Sequence, residues 1–151
     1  MDDPQPYRLH DSLLYQMTLT SRLQERRLEE RLKSLGLTRI TWCVLLAVHN
    51  EGLVQPSAIA DFIGIDRTAT SRALRQMEAS GWLARHGGSE DRRTTTVKLT
   101  PQGKALLASA TPLAEENNRH FLSRLGPGEA ETLARIMARM REGEARGLVR
   151  F

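Results

Sequence analysis

The sequence predicts a mainly α fold with a small β component, an α+β protein, on three observations. Apolar residues recur at helical spacing over most of the 151 residues. One stretch near residues 82–99 changes to a period of two. Capping and breaking residues stand at the joints between these stretches.

The first helical stretch carries Leu9, Leu13, Tyr15, Met17, Leu19, Leu23, Leu28, Leu32 and Leu35 and ends near Gly36. It is longer than a small core needs, so its spare apolar surface calls for a cover, and a second subunit is the economical one. Leu37, Ile40, Val44, Leu45 and Val48 define a second helix, with Thr38 or Thr41 as its cap, Trp42 as a core anchor and residues 50–52 as its stop. Two short helices follow in close succession. Ser57 is read as the cap of the first, which carries Ile59, Ala60 and Phe62 and breaks at Gly64; Asp66 caps the second, which carries Ala69, Ala73, Leu74 and Met77.

Trp82, Leu83 and Ala84 then read as a short strand, and Thr95, Val97 and Leu99 alternate with Thr96 and Lys98 in a second. A β hairpin directly after two short helices is a winged helix-turn-helix. Thr100 and Pro101 are a cap and first-turn pair for a further helix that can kink at Pro112. Pro127 is read as the start of the last helix, with Leu133, Ile136, Met137 and Met140 on one face. The expected organisation is a single domain over residues 1–151. The winged module spans 53–100, and dimerisation helices over 8–36 and 101–148 interleave two copies of the chain.

Bulk properties agree with a globular protein: 40 % of residues are hydrophobic and 26 % charged. The 22 Lys+Arg exceed the 18 Asp+Glu, a formal charge of +4 that suits a polyanion without requiring one. Most of these cations are Arg, whose rigid fork fits phosphates and guanine edges. A single cysteine, Cys43, excludes an internal disulfide and a thiolate zinc cluster. The four histidines have no metal-ligand spacing, so neither a metal nor a cofactor is expected. The start of the chain has no secretory signal pattern and no stretch of the chain is apolar enough for a membrane span, which leads to a cytoplasmic assignment without membrane contact.

The run DRRTTTVKLTPQG at residues 91–103 and the run LRQMEASGWLAR at residues 74–85 give a specific resemblance. The chain resembles the MarR family of bacterial transcriptional regulators, the first run matching its Asp-x-Arg wing followed by Leu-Thr-x-x-Gly and the second the exit of its recognition helix. The resemblance covers the whole chain. It implies a homodimer on double-stranded DNA with a near-palindromic operator, a recognition helix in each major groove and a wing in each flanking minor groove. It also implies repression relieved by a small aromatic or phenolic effector bound where the dimerisation helices meet the winged module.

In that setting the helix after Asp66 offers Arg67, Thr68, Thr70 and Ser71 to base edges and Arg72 and Arg75 to phosphate, with Gln76 as a further donor. Which of them read bases stays open. Ser57 offers a hydroxyl and nearby backbone N–H groups to a phosphate, or serves as a plain cap. At the wing tip Arg92 and Arg93 are minor-groove candidates, the family match pointing to Arg93, while Asp91 orients an arginine or merely shapes the turn. For an effector pocket the resemblance points to the junction of the first, second and fifth helices, where His10, Tyr15, Met17, Trp42 and His49 are available; each serves the core or the dimer contact equally well. Cys43, in an apolar run of the second helix, departs from the family's oxidant-sensing pattern and is expected in the core.

An enzyme would need convergent nucleophile, base and orienting groups, and no such spacing is found. A protein-interaction module without DNA would not need the basic run RTATSRALRQ. The serious alternative is a constitutive DNA-binding or architectural protein without an effector, distinguished by whether a small molecule releases DNA.

Overall fold

The computed structural model describes residues 5–87 and 95–144. Among the described residues, six α-helices and one antiparallel hairpin follow in the expected order. Helix α1 spans Leu13–Leu32, preceded by a 3-10 turn at Leu9–Asp11 and followed by another at Lys33–Leu35. Gly36, with φ 72°, closes it in the left-handed conformation that a side chain would resist. The Leu37 N–H then bonds back to the Leu32 carbonyl at 3.1 Å.

Helix α2, Arg39–His49, starts at a reciprocal capping box. The Thr41 N–H donates to Thr38 Oγ1 and the Thr38 N–H donates to Thr41 Oγ1, which satisfies donors the helix leaves free. Its Val44, Leu45, Ala47 and Val48 are buried, and the helix packs against α3, α4, α5 and the second strand as the centre of the core. Trp42 is half-buried against this core, not sealed inside it.

Helix α3, Pro56–Ile63, and helix α4, Arg67–Ala79, meet through a tight turn at Gly64, whose φ is 80°. Ser57 does not cap α3. Gln55 holds the cap position without a side-chain bond, and Pro56 takes the first helical position, where its missing N–H costs nothing. Asp66 caps α4 as expected, accepting the Ala69 N–H at 2.7 Å.

The hairpin is β1, Leu83–His86, against β2, Thr96–Leu99, in the register Leu83↔Leu99 and Arg85↔Val97. Each strand is shifted by a residue or so from its sequence pattern, because Trp82 is used in the turn leaving α4. The Val97 N–H also donates to the Val54 carbonyl at 2.8 Å, fastening the hairpin to the segment ahead of α3.

Helix α5, Pro101–Leu122, is capped by Thr100, whose Oγ1 accepts the Gly103 N–H at 3.0 Å and donates to the Gly81 carbonyl at 2.6 Å. The helix runs on through Pro112, although proline removes the N–H that would reach back to Ala108. Helix α6 spans Glu129–Met140 and starts two residues after Pro127. Gly128, at φ 76°, stands at its cap position and turns the chain in a conformation proline cannot adopt.

Helices α1 and α5 are joined by a polar seam. Arg27 makes paired bonds to the Glu116 carboxylate at 3.1 and 3.2 Å and donates to Asn117 Oδ1 at 2.9 Å. Arg31 closes on the same carboxylate at 2.8 Å. Asn117 is 1 % exposed and donates in turn to the Gln24 carbonyl, so its amide is satisfied where burial would otherwise penalise it. Among the described residues no helix is long and apolar enough to cross a membrane.

Candidate nucleic-acid interface

Alternation between buried and exposed positions decides what α4 offers. Ala73, Leu74 and Met77 pack inward on the core, which leaves Arg67, Thr68, Arg72, Arg75 and Gln76 exposed and Ser71 half-buried. Thr70 is a correction to the sequence reading. It is 1 % exposed and its Oγ1 donates to the Asp66 carbonyl at 2.9 Å, so its side chain belongs to the inner face and its hydroxyl is already used. Four residues after Asp66, it stands one helical turn on from the cap.

A cleft of about 740 Å³ opens between the start of α3, β1 and the α4 face that carries Arg67, Ser71 and Arg75, with the buried Thr70 and Leu74 at its floor. Pro56, Ser57, Arg67, Thr70, Ser71, Arg75, Arg85 and Thr95 are among its lining residues; among the described residues these include three arginines and no carboxylate. Ser57 is exposed here, so its hydroxyl and the start of α3 face the same space as the α4 cations. Arg75 bends back along its helix, its Nε donating to the Ser71 carbonyl at 3.3 Å, which keeps its charge beside the cleft. A cationic concavity next to an exposed, donor-rich helix is chemically suited to a phosphodiester backbone with base edges alongside.

Arg85 was missed by the sequence reading. Its Nε donates to Glu78 Oε2 at 2.8 Å, its Nη2 bonds to the same oxygen, and its backbone N–H donates to Glu78 Oε1 at 3.3 Å. The hydrogen bond from the guanidinium, more than the accompanying charge attraction, holds the Glu78 carboxyl below the usual carboxylate range against the opposing effect of desolvation. The available signal was period-two alternation, which puts residues 83 and 85 on one side of the strand; the partner across the turn was not inferable.

Asp91, Arg92 and Arg93 lie outside the described residues. The five pocket candidates do not line the cleft. His10 and Tyr15 meet edge-on, 5.3 Å between ring centroids, near the start of α1, where His10 is exposed and Tyr15 and Met17 are half-buried. Trp42 leans on the core, with its indole N–H buried and without a partner among the described residues, and His49 is exposed at the end of α2. Cys43 is half-buried, and burial pushes its thiol pKa up, outweighing the lowering influence of Arg39. Among the described residues no three His, Cys, Asp or Glu side chains converge as metal ligands.

Comparison with known proteins bears on this module directly. Residues 35–94, from the turn after α1 to a point past β1 and short of β2, match the model of the MarR family. The Bordetella bronchiseptica regulator BpsR, whose DNA binding is regulated by 6-hydroxynicotinic acid, superposes with a TM-score of 0.81 at 22 % identity, covering 92 % of this chain and 99 % of that one. A mutant MarR from E. coli complexed with operator DNA gives 0.75 at 23 % identity, covering 85 % and 92 %. The organohalide-sensing regulator RdhR-CbdbA1625 in its 2,4-dichlorophenol-bound form gives 0.78 at 18 % identity, covering 93 % and 84 %. At these identities the likeness is one of fold, and it extends over α1, α5 and α6 as well as the matched segment. Residues 35–94 thus match the MarR family model, and the chain around them shares the winged helix-turn-helix fold of these regulators.

Proposed function

We propose that the protein is a DNA-binding transcription regulator that acts as a homodimer, represses by occupying a near-palindromic operator, and is released by a small aromatic or phenolic molecule. The observation that carries the reading is the cleft lined by Arg67, Arg75 and Arg85, the last anchored to Glu78, beside the exposed residues of α4. In a helix-turn-helix the second helix enters the major groove with its N-terminal residues toward base edges. Here that assigns base contact to Arg67, Thr68 and Ser71, and phosphate contact to Ser57, Arg72 and Arg75. Arg92 and Arg93 extend the same interface into the minor groove from the wing, with Asp91 orienting them.

Exposed apolar side chains at both ends of the chain support the dimer. Leu13, Leu14 and Leu23 on α1, and Leu122, Leu133, Ile136 and Met140 on α5 and α6, are each between 43 % and 71 % exposed. Apolar surface repeated along three helices of one subunit is what a two-fold partner covers. The winged module of residues 53–100 is then the reading head, and residues 8–36 and 101–148 are the dimerisation helices.

The effector class draws its support from the two hydroxylated aromatic compounds named with BpsR and RdhR-CbdbA1625. We assign its site to the junction of α1, α2 and α5, where His10, Tyr15, Met17, Trp42 and His49 supply aromatic surface and polar ends.

The test is selection of bound duplexes from a random library, followed by titration of the winner at several salt concentrations and then with a panel of hydroxylated aromatic acids and phenols. A palindromic winner, bound by a dimer with affinity falling steeply in salt and released by a panel member, is the expected result. Binding that no panel member relieves would overturn the effector assignment and leave a constitutive DNA-binding protein; failure to enrich any sequence would overturn sequence-specific binding.

A further inference from the structure

We propose that Arg85 is a phosphate-binding residue at the junction of α4 and β1, and that Glu78 is its positioning residue; the inference rests on the DNA-binding reading above. A guanidinium carries five N–H donors in a fixed fork with more than one edge able to take an oxyanion. Glu78 occupies the edge formed by Nε and Nη2, at 2.8 Å from Nε. Nη1 makes no hydrogen bond among the described residues, and Arg85 lines the cleft beside Arg67 and Arg75. One edge is therefore anchored to Glu78, while at the other nothing among the described residues bonds to Nη1, and this is the edge we assign to a phosphate.

Glu78 also accepts the backbone N–H of Arg85, so a single carboxylate fixes both the guanidinium and the strand that carries it against the last turn of α4. Arg67 and Arg75 sit on the reading helix itself, whereas Arg85 is on the hairpin. A phosphate bridging them would set the angle between recognition helix and wing, and a preset arginine loses less side-chain freedom on binding than a free one.

The sign of one substitution separates positioning from charge. Glu78 places a negative charge beside a polyanion, so if it acted by charge alone E78Q would tighten DNA binding. If Glu78 positions Arg85, E78Q weakens binding although it makes the protein more positive.

The experiment measures fluorescence anisotropy of wild type, R85A, R85K and E78Q on the duplex that wild type selects, over a series of salt concentrations. Melting temperatures are taken in parallel, with R85Q replacing R85A if the latter is not folded. We expect R85A to lower the log–log salt slope by about one and the affinity about tenfold. R85K keeps the slope and loses a few-fold, because ammonium cannot use two edges at once. E78Q weakens binding about threefold or more, through loss of the charge-assisted anchor. An unchanged slope and affinity in R85A, in a protein whose R67A variant does lose affinity, would overturn the role of Arg85. Tighter binding by E78Q would overturn the positioning role. No salt-dependent binding of any duplex by wild type would instead overturn the DNA-binding reading, and this inference with it.

Discussion

The carbonyl oxygen of Trp82 stands 1.9 Å from the place a Cβ on Gly103 would occupy. No side chain fits there. The first turn of α5 presses against the backbone that leads into β1, and the same Trp82 oxygen accepts the Thr100 N–H at 3.1 Å. The glycine of the Leu-Thr-x-x-Gly run thus has a steric reason: it lets α5 seat on the base of the hairpin.

Gly103→Ala should therefore destabilise the protein despite alanine's better helix propensity, because the clash is with rigid backbone. Overpacking of this kind costs about 1–3 kcal/mol or more, readable as a lower midpoint in urea unfolding. An unchanged or raised midpoint would show that the hairpin base yields freely.

Thr100 makes two bonds from one hydroxyl, capping α5 and holding the Gly81 carbonyl at the exit of α4. Thr100→Ala should cost about 1–2 kcal/mol, with Thr100→Ser recovering most of it, since serine keeps the oxygen. Equal losses in the two variants would assign the effect to the methyl group instead.

Thr70 and Arg67 separate fold from recognition. Replacing Thr70 with Val removes the bond to the Asp66 carbonyl and should lower stability by about 1 kcal/mol while leaving DNA affinity nearly unchanged. Arg67→Ala should do the reverse, weakening binding about tenfold at low salt with little change in melting. A marked affinity loss in a well-folded Thr70→Val protein would contradict the inward placement of this side chain.

Acid should loosen the seam between α1 and α5 in two stages. Desolvation, then Arg27 and Arg124, lower the His120 pKa, so the neutral ring is the form the fold favours. Its contribution is present above the ordinary imidazole range and lost as pH falls through the lowered value. The bond from Arg27 chiefly lowers the Glu116 pKa as well. That contribution is present above the ordinary carboxylate range and lost at still lower pH, as the folded-state value is passed. Melting temperature should fall in both windows, and Glu116→Gln should remove the more acidic one while lowering stability at neutral pH.

Cys43 should alkylate far more slowly in the folded protein than in urea, because burial disfavours its thiolate and restricts access. Equal rates in the two states would place the thiol at the surface.

Much of the fold was legible in the sequence because its signals are local. The caps at Thr38, Asp66 and Thr100, the breaks at Gly36 and Gly64, and the change of period at the hairpin each depend on residues within one turn of each other. They determined the order of elements, the winged module and the candidate face of α4. Misreadings arose where two local signals competed: Ser57 beside Pro56, and Pro127 beside Gly128, where the backbone geometry of the neighbour prevailed.

What only the tertiary structure decided are relationships between residues that local spacing does not connect. Thr70 is turned inward because α4 packs on α3 and the core, a choice made by the whole buried face and not by threonine's polarity. Arg85 meets Glu78 only after the chain reverses at Gly81, and Arg27 meets Glu116 and Asn117 across 89 and 90 positions of sequence. Hydrogen bonds and ion pairs require atoms within about 3 Å at a fixed angle, a condition that sequence periodicity cannot state and that packing sets last. The sequence by itself determined the order of elements and the basic character of α4; the packed structure decided which side chains line the cleft and which polar groups hold the fold.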